Sequence, residues 1–152
     1  MATLTTSIQI EASPEIVFEV LTDVPRWPEH FPAIQKIEML TDGPVGVGTR
    51  FRETRRMFGR EATEEMEIAE IEPGKRFGLS AHSHGTGYLT THTLTPTQGG
   101  THLALEFIAT PRSTAAKVLA PFSGLMMKPL RRCLEEDLEA LRQTCEASST
   151  LP

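Results

Sequence analysis

The side chains best able to do chemistry in this chain sit on short alternating stretches in its middle. Phe51, Glu53, Arg55 and Met57 share one parity, and Ala62, Glu64, Met66 and Ile68 share another. Side chains two apart on a strand point the same way, so if Phe51, Met66 and Ile68 turn inward, Glu53, Arg55 and Glu64 go with them. A third stretch puts Tyr88, Thr90 and His92 in phase with Leu94. An unpaired charge is costly to bury, so Arg55 is expected to pair with Glu53 or Glu64. Such a group could grip a ligand carboxylate or carbonyl through the guanidinium fork, or form a structural ion-pair network. His92 and Tyr88 could work as an acid/base pair, the imidazole removing a proton and the phenol donating to a developing enolate. The competing reading is a hydrogen-bonded lining that only shapes ligand choice.

Other chemistry is thinly represented. His82 and His84 share a face at strand spacing that could chelate zinc, but no third ligand accompanies them, so no metal site is predicted. The sequence has no nucleophile elbow, Walker loop or dinucleotide-binding glycine motif, and no cofactor is expected. A net charge of -5 without a basic stripe argues against nucleic acid as a partner. Cys133 and Cys145 lie twelve residues apart on one predicted helix, a rise of roughly 18 Å, too far for an internal disulfide. Reduced thiols, no basic-then-apolar leader and no apolar run of spanning length point to the cytoplasm and to no integral membrane segment.

The elements that must position these residues can be read in order. The 152 residues suit a single domain, expected over 1–147 with a frayed tail at 148–152. Thr5 to Glu11 alternates as a first strand, with Ile8 and Ile10 on one face. Ser13, Pro14 and Glu15 then open a short helix with Ile16, Val17, Val20 and Leu21 on its apolar face. Pro25, Pro28 and Pro32 allow only brief helical turns, with Trp27 as a packing anchor and His30 and Phe31 adding to the aromatic surface of the connection. Ile34 to Leu40 slips once in phase, as an edge strand or a bulge would. Strands follow at Thr49 to Phe58, at Ala62 to Ile68, and at Phe77 to Ala81. Two more carry Tyr88 to Leu94 and Leu103 to Phe107, with turn signals between them. From Thr114 to Cys145 a helical stripe of Val118, Phe122, Leu125, Met126, Leu130, Cys133, Leu134, Leu138 and Leu141 needs a surface to lie on. Gly124, Pro121 and Pro129 predict a break in it that could gate a cavity.

Local strings add to this order: Ser13 to Phe18 opening the first helix, Leu21 to Pro28 at the two-helix junction, Gly46 to Phe51 entering a strand, and Glu72 to Phe77 at a later turn. Across nearly the whole chain the sequence resembles the START-related, pollen-allergen-like helix-grip superfamily, in its polyketide cyclase/dehydrase and lipid-transport branch. The resemblance implies an α+β helix-grip fold, β-α-α-β6-α, in which a seven-stranded curved antiparallel sheet wraps a long C-terminal helix around a cavity. It implies no catalytic motif, because such folds host enzymes, carriers and receptors alike.

Combined with strand parity, it gives an expected cavity lining of Phe51, Glu53, Arg55, Glu64, Met66, Leu79, Tyr88, Thr90, His92, Phe107, Phe122, Met126 and Leu130. The first functional expectation is non-catalytic binding or transport of a hydrophobic or aromatic small molecule, such as a lipid, isoprenoid or polyketide-like compound. The alternative is a cyclase/dehydratase-type enzyme with His92 as general base and Tyr88 or Arg55 stabilising an enolate. A monomer and a homodimer are both compatible with the exposed strand edges.

Overall fold

The computed structural model describes residues 1–57, 59–119 and 127–149. Its elements are β1 (Ala2–Ile10), α1 (Pro14–Thr22), a single 3-10 turn (Val24–Arg26), α2 (Trp27–His30), β2 (Ile34–Met39), β3 (Arg50–Met57), β4 (Arg60–Glu72), β5 (Arg76–Ser83), β6 (Thr86–Thr97), β7 (Gly100–Pro111), α3 (Thr114–Leu119) and α4 (Met127–Ser149). The strands form one antiparallel sheet in the order β1-β7-β6-β5-β4-β3-β2. This is the helix-grip arrangement expected from the sequence.

Local chemistry accounts for the boundaries. The Ser13 hydroxyl accepts from the Ile16 amide at 3.3 Å and Pro14 occupies the first turn, so α1 starts where an orphan donor is satisfied. The phase slip read between Ile34 and Leu40 is a bulge between Ile34 and Lys36 on the edge strand β2. His84 (φ 50) and Gly85 (φ 75) form the two-residue loop between β5 and β6, both left-handed, as the twist of a tight hairpin requires. At Gly100 (φ 150) an added Cβ would run into the Ile10 carbonyl, so only glycine lets the start of β7 lie this close to the end of β1. β1 begins three residues earlier than its alternation suggested, because Ala2 to Leu4 pair with Phe107 to Ala109.

The sheet's two faces differ as their parity demands. On the solvent face, Arg50 pairs with Glu65 (3.2 Å), Arg52 with Glu38 (2.9 Å), and the Thr54 and Thr63 hydroxyls meet at 2.9 Å. The concave face carries Phe51, Ile68, Phe77, Leu79, Leu94, Leu103 and Leu105 into one core with Val17, Leu21, Trp27, Leu138, Leu141 and Cys145. Trp27 organises the junction. Its Nε1–H donates to the Leu21 carbonyl at 3.1 Å, and its ring meets Phe31, Phe51 and Phe77 edge-on at centroid distances of 5.8, 5.4 and 6.5 Å.

The C-terminal helical region is described as two helices. Phe122, Leu125, Met126 and the gate expected around Pro121 and Gly124 lie outside the described residues. Val118, expected on the apolar stripe, is instead 66% exposed on α3, so the period that holds along α4 does not carry back to it. Pro129 lies within α4 as described, from Met127 to Ser149. Among the described residues no helix is long and apolar enough to cross a membrane.

Candidate ligand cavity

A cavity of about 160 Å³ lies between the concave face of the sheet and α4. Its wall is mainly apolar: Leu21 from α1, Trp27 from α2, Phe31, Ile34 from β2, Met57, Ala62, Met66, Leu79, Leu105 and Phe107 from the sheet, and Leu130, Leu134, Leu138 and Leu141 from α4. The helical contributions recur every three or four residues, as one face of α4 must. The polar members are Glu53, Arg55, Glu64, Thr90, His92 and Asp137.

Arg55 is the hub of this polar group. Its Nε–H donates to Glu53 Oε1 at 2.7 Å, and its Nη1–H donates to Asp137 Oδ2 at 2.9 Å. The Glu53, Arg55 and Asp137 side chains are 4%, 14% and 20% exposed, so the group is largely desolvated. Burial alone would discourage the guanidinium charge, but the two carboxylates outweigh it and Arg55 stays firmly protonated. Burial pushes the Asp137 carboxyl up, against the pull of Arg55. Glu64 stands directly across the β3–β4 ladder from Glu53 and lines the same cavity. No hydrogen bond or ion pair joins it to any described residue.

His92 faces its ladder partner Phe77, and its Nδ1 lies 3.3 Å from the Phe77 carbonyl oxygen. A carbonyl only accepts, so Nδ1 carries the proton and the neutral ring leaves Nε2 as a lone-pair acceptor. Burial pushes the imidazole down to about 4, only partly opposed by that bond. Among the described residues Nε2 has no hydrogen-bond partner.

Of the side chains anticipated for the lining, Glu53, Arg55, Glu64, Met66, Leu79, Thr90, His92, Phe107 and Leu130 border this cavity. Phe51 is wholly buried but packs on Trp27 instead of bordering the space. Tyr88 stacks on Phe107 at 5.6 Å and is not among the lining residues. Burial, with the nearby Glu64 charge second, raises its pKa. Tyr88 and His92 are four residues apart on β6, roughly 13 Å along an extended strand, so they do not converge on one reacting atom. Phe122 and Met126 lie outside the described residues. His30 approaches Asp23 at 4.0 Å, and His82 and His84 are exposed. No group of metal-binding side chains occurs among the described residues.

Asp137 borders the cavity and binds Arg55, yet it was not singled out from the sequence. Its signal was present: it lies three residues after Leu134 and four before Leu141, a lone carboxylate on the apolar stripe of α4.

A curved antiparallel sheet closed by a C-terminal helix around a mixed apolar and polar cavity defines a helix-grip protein. The chain belongs to the polyketide cyclase/dehydrase and lipid transport family, whose model matches residues 1–146. No curated protein matches it. Among solved structures, Ara h 8.0201 is similar with a TM-score of 0.77 at 16% identity, covering 96% of this chain and 98% of that one. The Zhui aromatase/cyclase from Streptomyces sp. R1128 gives a TM-score of 0.79 at 18% identity over 95% of this chain and 93% of its own. The di-domain ARO/CYC StfQ from the steffimycin biosynthetic pathway gives 0.80 at 16% identity, with 98% of this chain matching 52% of that protein. At these identities the structural likeness speaks for the fold.

Proposed function

We propose that this protein binds and carries a hydrophobic or aromatic small molecule, of lipid, isoprenoid or polyketide-like type, in the cavity between the sheet and α4. The observation that carries this reading is an apolar cavity whose guanidinium is already engaged by two carboxylates. Stabilising an enolate requires positive charge or free donors aimed at the developing oxyanion. Here Glu53, Glu64 and Asp137 outnumber Arg55, which favours holding a ligand over turning one over. The cavity volume of about 160 Å³ is on the scale of one aromatic ring or one branched isoprenoid unit.

Native mass spectrometry of the protein purified from its own cells, followed by extraction, tests this reading. A retained apolar compound, absent from an Ala62→Trp variant in which an indole fills the space, is the expected result. Equal retention by wild type and variant would place the compound elsewhere and contradict the reading.

A second reading rests on His92. A neutral imidazole whose Nε2 lone pair has no hydrogen-bond partner among the described residues, beside an apolar space, is suited to remove a proton alpha to a carbonyl, as in a cyclase or dehydratase. Turnover of poly-β-keto compounds by wild type, lost in His92→Asn with the fold intact, would favour it over the carrier reading.

A further inference from the structure

The polar groups of the cavity are unequally divided between donors and acceptors. Arg55 supplies the cation and has spent Nε and Nη1 on Glu53 and Asp137. Each of those carboxylates keeps one oxygen with no hydrogen bond to a described residue. Both Glu64 oxygens and His92 Nε2 are likewise unclaimed, and the His92 residue is 7% exposed. Glu64 stands opposite Glu53 on the ladder, an arrangement of like charges that destabilises a strand pair. Residues 120–126 contain no lysine, arginine or histidine that could neutralise it.

We infer that the cavity is built for a ligand carrying a protonated amine or similar cationic nitrogen on a ring-sized apolar body, the nitrogen docking at Glu64 and the free oxygens of Glu53 and Asp137. The ammonium donates up to three hydrogen bonds into this acceptor set and offsets the unpaired charge. A ligand carboxylate meets the opposite situation: the guanidinium charge is already matched by Glu53 and Asp137, leaving only its remaining N–H groups to offer, and three acids repel the newcomer. Selectivity for cationic over anionic ligands is therefore written into the β3–β4 register and one helix position. This inference rests on the reading that the cavity takes a small molecule, and its test separates the two.

Isothermal titration calorimetry near neutral pH with benzylamine, benzyl alcohol and benzoate compares three probes with one ring and different charge. Benzylamine is expected to bind at least about tenfold more tightly than benzoate, with benzyl alcohol between them. In Glu64→Gln the amine preference should shrink several-fold while benzyl alcohol binding persists. Glu67→Gln, on the exposed face of β4, should leave all three unchanged. Benzyl alcohol binding without any preference for the amine, or with benzoate preferred, would overturn the charge selectivity alone. Failure of all three to bind would overturn the cavity reading and the selectivity together.

Discussion

Lowering the pH should weaken this fold through His92 more than through any exposed histidine. The imidazole is buried against Phe77, and its pKa falls from the ordinary 6.5 to about 4 on folding. Above pH 6.5 the group is neutral in both folded and unfolded chains, so its full contribution is present. As pH drops through 6.5 the unfolded chain takes up a proton that the folded chain refuses until about pH 4, and stability is lost across that window. At about 1.4 kcal/mol per pH unit, the loss reaches about 3 kcal/mol. Asp137, whose pKa is raised, acts in the opposite sense, because the folded chain takes up its proton first as pH falls. The clean observable is therefore the difference between wild type and His92→Asn, whose amide can keep the donor to Phe77. Thermal melts followed by near-UV circular dichroism should show wild type losing roughly 6–12 °C relative to the variant between about pH 7.5 and about pH 4. A difference that stays constant across that range would refute the argument that a neutral, buried imidazole is held there.

Three further outcomes follow from the packing. Arg55→Ala strands Glu53 and Asp137 in a desolvated wall and should cost about 3–5 kcal/mol by urea unfolding, whereas Asp137→Asn should cost less, because Arg55 keeps Glu53. Equal losses would mean that the two pairs do not share one hub. Leu141→Ala, at a position 1% exposed on α4, should cost about 2–5 kcal/mol by the same assay, and a loss below about 1 kcal/mol would show that α4 is not gripped as described. Cys145 is fully buried and its thiol is pushed up to about 12, so under native conditions a thiol reagent should label Cys133 alone, with Cys145 reacting only on unfolding. Fast labelling of both would contradict the placement of α4 against the core.

The fold was legible because its signals are local and agree with one another. Alternation in β3, β4 and β6, the Ser13–Pro14 helix start, and the phase slip at Ile34 to Leu40 each constrain one element, and together they allow few architectures. Parity also carried Glu53, Arg55, Glu64 and His92 to the concave face, since a strand offers only two choices. What parity cannot supply is position along the strand. Tyr88 and His92 share a face, yet only His92 borders the cavity, because its extent is set by where α4 crosses the sheet. The Arg55–Asp137 bond spans 82 residues, a long-range pairing that no local pattern encodes. Asp137 could have been singled out as an acid on the apolar stripe, but its partner could not. Val118 shows the converse error: it falls on the stripe read from the sequence, yet it is exposed on α3.

The most direct test of the central claim is a titration of methyl-labelled protein with benzyl alcohol, followed by two-dimensional carbon–proton spectra. Saturable shifts at the methyls of Met66, Leu79, Leu105, Leu134 and Leu138, with those of Leu89 and Val47 on the exposed surface unmoved, are the result predicted for a small molecule held between the sheet and α4. Shifts confined to the exposed methyls, or no saturable shift at all, would contradict it.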